Sequence, residues 1–172
     1  MLKLHICRVA AGFIATLGLI GMASAQQAQV SSTLQVERVV MVDAKPVLKP
    51  VTAGQPGDVL EYRASYDNHG DKPANGFVAE LPIPAGTTYV AHSAQPANAM
   101  ASTDGVHFAA MPLMRMVKMA NGTTGPQPVP LADYRALRWS LGNLLPGKQV
   151  QVQARVQVDP VAAATATPPA KP

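Results

Sequence analysis

The stretch of sequence that decides the fold is Lys148-Gln-Val-Gln-Val-Gln-Ala-Arg-Val-Gln-Val158, near the end of the chain. Its apolar residues occupy every second position, and Gln or Arg fills the positions between them. Because side chains of a β-strand alternate between two faces, this pattern predicts a strand with one face in a core and one in water. A strand buried on one face only is typical of antiparallel sheets.

Segments of the same kind recur along the chain, whereas helical periodicity is nearly absent. We predict further strands over residues 34–42, 59–66, 77–81, 87–91 and 137–141. Asp104-Gly105 predicts a tight hairpin turn between a strand near Ala99 and one through Met111, because Gly supplies the positive φ of such turns. About seven or eight short strands separated by Pro-Gly and Asn-Gly turns indicate an all-β, antiparallel β-sandwich.

The predicted core centres on Trp139, the only Trp of the chain, with Tyr62 and Tyr66 beside it. The alternation places these side chains inward: Leu60, Tyr62, Ala64 and Tyr66 on one strand, and Leu137, Trp139 and Leu141 on another. It places Glu61, Arg63 and Ser65 outward, toward water. We therefore expect a core built from Ala, Val and Leu around a few aromatic rings.

Residues 1–25 have the three parts of a secretory signal peptide. Lys3 and Arg8 precede an apolar stretch over residues 9–22, and Ala23-Ser24-Ala25 follows as a cleavage site. A stretch of about 14 residues is shorter than the roughly 20 that cross a bilayer as a helix. We therefore predict cleavage after Ala25 and a periplasmic or secreted mature chain without a membrane span.

Removal of that segment changes the composition. The only Cys of the 172 residues, Cys7, lies within it, so the mature chain has no disulfide and no thiolate metal site. Loss of Lys3 and Arg8 lowers the formal net charge from +4 to +2, and the remaining basic residues are scattered singly. Nucleic-acid binding requires clustered bases, so we do not expect a nucleic-acid partner.

The rest of the chain is expected to form one domain with short tails. We predict a loose N-terminus over residues 26–33 and the β-sandwich over residues 34–159. Residues 160–172 are Pro, Ala and Thr with little else, a composition that predicts a disordered tail.

Four motifs occur in an order found in a known bacterial family. They are Pro56-Gly57-Asp58-Val-Leu-Glu-Tyr62, Tyr66-Asp-Asn68-His-Gly70, Pro82-Ile-Pro84-Ala-Gly86-Thr-Thr-Tyr89-Val90 and Arg138-Trp139-Ser-Leu-Gly142-Asn-Leu-Leu-Pro146-Gly147. With the alternating last strand, the chain resembles the bacterial conserved repeat domain, domain of unknown function 11, over roughly residues 34–158. The resemblance implies an immunoglobulin-like β-sandwich in an exported or cell-surface protein, and it implies no catalytic residues. A single copy is present, which favours a free periplasmic or secreted module.

The strongest candidate for a functional site is a cluster of methionines. Thioether and imidazole groups are the ligands that suit Cu(I), so the cluster is a candidate copper site. Its candidate ligands are Met111, Met114, Met116, Met119 and His107. Methionine also fills irregular gaps in cores and lines adaptable protein-binding surfaces, and the sequence leaves these alternatives open.

Other motifs indicate structure more than chemistry. Asp67-Asn68-His69-Gly70-Asp71 predicts a turn, because it lacks the alternating ligands and terminal Glu of a calcium loop. The sequence contains no nucleophile elbow and no Gly-rich phosphate loop.

We expect a non-enzymatic module without a cofactor, in structural or interaction contact with an unidentified protein or envelope component. A periplasmic copper-binding protein is the alternative. The Pro-rich stretch over residues 119–131 is expected to be a loop.

Overall fold

The computed structural model describes residues 29–120 and 122–160. The predicted signal peptide with Cys7, and the tail beyond Pro160, lie outside the described residues. The elements are β1 (Val30–Val42), β2 (Lys45–Pro50), β3 (Val59–Asn68), β4 (Ala74–Pro82), β5 (Thr87–Tyr89), β6 (Met100–Ser102), β7 (Ala109–Ala110), β8 (Met114–Lys118), β9 (Thr124–Pro128), a 3₁₀ helix (Leu131–Asp133), β10 (Ala136–Leu144) and β11 (Gln149–Val158).

Two antiparallel sheets pack face to face around one core. The larger sheet has the strand order β2-β1-β3-β11-β5, and the smaller has the order β4-β10-β6-β7. The predicted all-β, antiparallel β-sandwich is therefore confirmed. The strands β8 and β9 pair only with each other and belong to neither sheet.

The strand β11 has the predicted alternation. Val152, Ala154 and Val156 are buried in the core, whereas Gln151 and Gln157 are exposed. Because β11 lies between β3 and β5, it is held by hydrogen-bonded pairing along both of its edges. Its apolar face supplies one wall of the core along the length of the larger sheet.

The strand β3 follows the predicted phase with one exception. Leu60 and Ala64 are buried as predicted, but Glu61, on the outer face, is only 3% exposed. Its carboxylate lies 2.6 Å from Arg63 Nη2 and 2.9 Å from Arg155 Nε, from the neighbouring strand β11. A buried charge requires compensating partners, and the two arginines supply them while shielding Glu61 from water. Glu61 therefore lies on the outer face, as predicted, but its burial there was not predicted, because the alternation of one strand does not reveal the neighbours on the next.

The aromatic core centres on Trp139, as predicted, but its fully buried tyrosines are different ones. Trp139 Nε1 donates a hydrogen bond of 2.7 Å to the Pro96 carbonyl. Tyr89 and Tyr134 are buried and stack with ring centroids 5.9 Å apart. The side chains of Tyr62 and Tyr66 are only half-buried and pack at the margin of the core.

Several elements differ from the sequence prediction. The strand β1 begins at Val30 rather than Leu34, because it pairs with β3 as far as Val30↔Asn68. Strands β2, β8 and β9 were not predicted, because their Lys- and Pro-rich or Met-rich sequences do not alternate clearly. A hairpin does join β6 to β7, but its loop spans residues 103–108, and Met111 lies after the end of β7.

One end of the sandwich is closed by Asn68, within the predicted turn. Asn68 Nδ2 donates 2.8 Å hydrogen bonds to the carbonyls of Lys72 and Leu144, and its Oδ1 accepts one of 3.0 Å from Gly70 N–H. The side chain is buried, so it joins the turn to the end of β10 as a fixed brace. Ala136, the start of β10, lies at the opposite end of the sandwich, beside Ser102.

Candidate functional site

An open cleft of about 530 Å³ lies at the end of the sandwich opposite Asn68. The loop over residues 103–108, the strand β8 and the 3₁₀ helix border it. Its ionisable side chains are His107, Arg115, Asp133 and Arg135, and its apolar part is formed by Leu113, Met114 and Val129. A volume of this size lies within the range of roughly 300–1,000 Å³ typical of ligand sites.

The paired strands β8 and β9 form an arm beside the cleft. Met114 lies opposite Pro128 and Met116 opposite Pro126, so these four side chains share one face of the arm. Met114 and Met116 are 53% and 66% exposed. We call this surface the methionine face. A two-stranded ribbon is at best marginally stable alone, so the arm depends on its attachment to the body of the protein.

The base of the arm is fixed to the core through Tyr134. The N–H of Leu113 donates a hydrogen bond of 2.9 Å to the Tyr134 hydroxyl, which is buried. Across the base, the N–H of Val129 donates a hydrogen bond of 2.8 Å to the Leu113 carbonyl. Leu113 is itself buried within the core cluster, so the first residues of the arm have a defined position relative to the cleft.

The loop that carries His107 is organised by Asp104. One carboxylate oxygen accepts hydrogen bonds of 2.8 Å from the N–H groups of Val106 and His107 and from the Ser102 hydroxyl. The other lies 2.7 Å from His107 Nδ1. The contact with the His107 ring, followed by the backbone bonds, holds the pKa of Asp104 well below its usual range. The His107 ring is 86% exposed, and the contact at Nδ1 leaves Nε2 to face a ligand.

The two arginines of the cleft differ in their partners. Arg115 Nη1 lies 3.6 Å from a carboxylate oxygen of Asp133, and both side chains are about half exposed. Arg135 Nη1 donates hydrogen bonds to the carbonyls of Ala132, at 2.7 Å, and Tyr134, at 3.0 Å. The backbone around the 3₁₀ helix therefore orients the Arg135 guanidinium at the cleft.

A second, smaller cavity of about 290 Å³ lies nearby. Its wall is mainly apolar and includes Tyr89, Met111, Leu131 and Tyr134, with His92 at its margin. Tyr134 thus separates two concave sites, one apolar and one charged.

The structure distributes the predicted copper ligands among several places. His107 and Met114 line the same cleft, whereas Met111 lies in the smaller cavity. Met116 lies on the methionine face, and Met119 packs across Gly125. Within residues 29–120 and 122–160, no group of three or more His, Cys, Asp or Glu side chains is arranged to hold a metal ion.

Three ionisable residues of the cleft, Arg115, Asp133 and Arg135, were not predicted as site residues from the sequence. Arg115 lies within the methionine cluster, and Asp133 and Arg135 flank Tyr134 in the segment before β10. The only signal in the sequence was their proximity to the long Pro-rich stretch, where recognition loops are common. Their convergence depends on the path of the chain between β6 and β10.

Comparison with family models, with curated proteins and with solved structures finds no match to this chain. The resemblance to the bacterial conserved repeat domain therefore remains a prediction from motifs. Among the described residues, no helix is long and apolar enough to span a membrane.

The lowered pKa of Asp104 predicts how the loop responds to acid. Because the folded-state pKa is depressed, the carboxylate stabilises the loop above the usual Asp pKa of about 3.9 and loses this effect only as the pH falls through the lowered value. A ¹³C NMR titration of the Asp104 carboxyl group should give a midpoint below that usual value. His107→Ala should move the midpoint upward, and His92→Ala, the control, should not. An ordinary midpoint in the unmodified protein would show that the loop contacts do not form.

Proposed function

We propose that the protein is an exported, non-enzymatic β-sandwich module that contacts another protein or an envelope component through the β8–β9 arm. It acts in the periplasm or outside the cell after removal of the signal peptide. The observation that carries the proposal is the exposed methionine face on an arm that belongs to neither sheet.

The arm supports an interaction function because the sandwich does not use it as a wall of the core. Its two strands pair with each other, and Met114 and Met116 expose more than half of their surface. Exposed apolar surface carries a cost in water unless a partner covers it. Flexible thioether side chains adapt to the shape of a partner, and prolines opposite them limit the loss of conformational entropy.

The motif resemblance supports the same function. The bacterial conserved repeat domain implies an exported sandwich and carries no agreed catalytic residues. The motifs that carry the resemblance are used here for folding. Asn68 braces one end of the sandwich, and Trp139 fills the core. Neither residue belongs to the methionine face, which lies on the β8–β9 arm.

Site-specific crosslinking tests the role of the arm. A photo-crosslinking residue in place of Met116 should give one discrete adduct in cells that produce the full chain. The same residue in place of Val78, which is similarly apolar and exposed on β4, should give none. Met114→Gln with Met116→Gln should abolish the complex without lowering the Tm, since both side chains are exposed. Equal crosslinking at both positions, or a complex that survives the double substitution, would contradict the proposal.

A periplasmic copper-binding function is the second candidate. The specific observation in its favour is that His107 and Met114 line the same cleft. His107 Nδ1 is held by the Asp104 carboxylate, an arrangement that fixes the ring of many metal-binding histidines and leaves Nε2 for the ion. Met116 lies on the same face of β8 as Met114 and supplies a further thioether nearby.

Competition for Cu(I) against a chromophoric chelator tests this candidate. Binding through the cleft predicts that His107→Ala and Met114→Ala each weaken Cu(I) affinity by about tenfold to a hundredfold. Met119→Ala is the matched control, since Met119 packs across Gly125 outside the cleft. Absence of competition, or affinity that is the same in all three variants, would remove copper binding from consideration.

A further inference from the structure

Two arginines line the cleft beside the arm. Arg115 and Arg135 face a single acid, Asp133, among its lining residues. Asp104, at the margin, is already engaged by the His107 ring, two N–H groups and a hydroxyl. The two guanidinium groups are therefore the groups of the cleft that can receive an anion.

The Arg135 guanidinium is prepared to bind a planar anion. Its Nη1 donates to the carbonyls of Ala132 and Tyr134, so the rotamer is fixed before any ligand arrives. Among the described residues, Nε and Nη2 of Arg135 have no hydrogen-bond acceptor and remain available. An arginine pre-oriented in this way binds a carboxylate through two parallel hydrogen bonds with little loss of side-chain entropy.

Arg115 can join the same anion. Its contact with Asp133 is 3.6 Å long and exposed to water. Ion pairs exposed to water contribute little to stability, so the guanidinium can reorient toward a ligand at little cost. Arg115 therefore acts as a second, adjustable donor beside the fixed Arg135.

The apolar part of the cleft indicates which chemical group of the ligand lies next to its anionic group. Leu113, Met114 and Val129 line the same cleft as the two arginines. Leu113 and Val129 are packed against the core, and Met114 continues onto the methionine face. A ligand that covers both parts carries an apolar side chain directly beside its anionic group.

From this geometry we infer that the cleft binds a carboxylate next to an apolar side chain, as presented by an acidic, apolar segment of a protein partner. Arg135 is the anchor for the carboxylate, and the apolar side chain packs on Leu113 and Met114. The inference rests on the proposed interaction function and specifies the chemistry of the partner of the arm.

A matched pair of small probes tests the inference. N-acetyl-L-leucine carries a carboxylate beside an apolar side chain, and N-acetyl-L-leucinamide has the same shape without the charge. Titration of each into the mature chain is followed by the ¹³C methyl signal of Met114. The acid should shift this signal with an affinity about tenfold higher than that of the amide, as expected for a charge-assisted hydrogen bond. Added salt should reduce the difference.

Two variants locate the carboxylate. Arg135→Gln should bring the affinity for the acid down to that for the amide, and Arg115→Gln should reduce the difference in part. Lys148→Gln removes the same charge at the Asn68 end of the sandwich and should change neither affinity. The fluorescence of Trp139 checks that each variant is folded, since this side chain is fully buried.

The outcomes separate this inference from the proposed function. Equal affinity for acid and amide at Met114 would overturn the carboxylate preference while leaving the arm as an interaction surface. No response of Met114 to either probe, or a preference that survives Arg135→Gln, would also overturn the inference. The crosslinking experiment at Met116 judges the interaction function independently.

Discussion

The hydrogen bond from the Leu113 N–H to the Tyr134 hydroxyl, 2.9 Å long, joins the core to the β8–β9 arm and the proposed interaction surface. Tyr134 is buried and stacked on Tyr89, so its hydroxyl has a fixed position. Leu113 starts the arm, and its buried N–H has no strand partner there. A buried donor without an acceptor costs about 1–3 kcal/mol, so this bond, together with the bond from the Val129 N–H to the Leu113 carbonyl, holds the start of the arm on the core. Leu113 lines the cleft and Tyr134 lines the smaller cavity, so both concave sites lie next to this bond.

The two ends of the sandwich differ in structure. At one end, Asn68 satisfies three backbone groups and ties neighbouring turns together. At the other end, the backbone between β6 and β10 forms a charged cleft and an arm whose apolar side chains face solvent. The buried core is built mainly from Ala and Leu, and Trp139 and the Tyr89–Tyr134 stack supply its aromatic rings.

Much of the fold could be predicted because alternation is a local property of the chain. The strands β3, β10 and β11 and the burial of Trp139 follow from residues that are close in sequence. The burial of Glu61 could not be predicted, since it depends on Arg155 from a strand far along the chain. The hairpin between β6 and β7 was expected to have a tight Asp104-Gly105 turn, but the Asp104 carboxylate organises a longer loop by bonding to Val106 and His107. The cleft escaped prediction because its charged residues converge only after the chain has folded, although His107 and Met114 were both candidate ligands.

Tyr134 holds the base of the β8–β9 arm on the core, and hydrogen exchange of the Leu113 amide tests this most directly. In the unmodified protein this amide should exchange about as slowly as the amides of the central strand β3, because both open only with the core. In the Tyr134→Phe variant the Leu113 amide should exchange much faster, while the amides of β3 change only as far as global stability falls. Exchange of Leu113 at the rate of an exposed loop in the unmodified protein would contradict the account, as would exchange unaffected by loss of the hydroxyl.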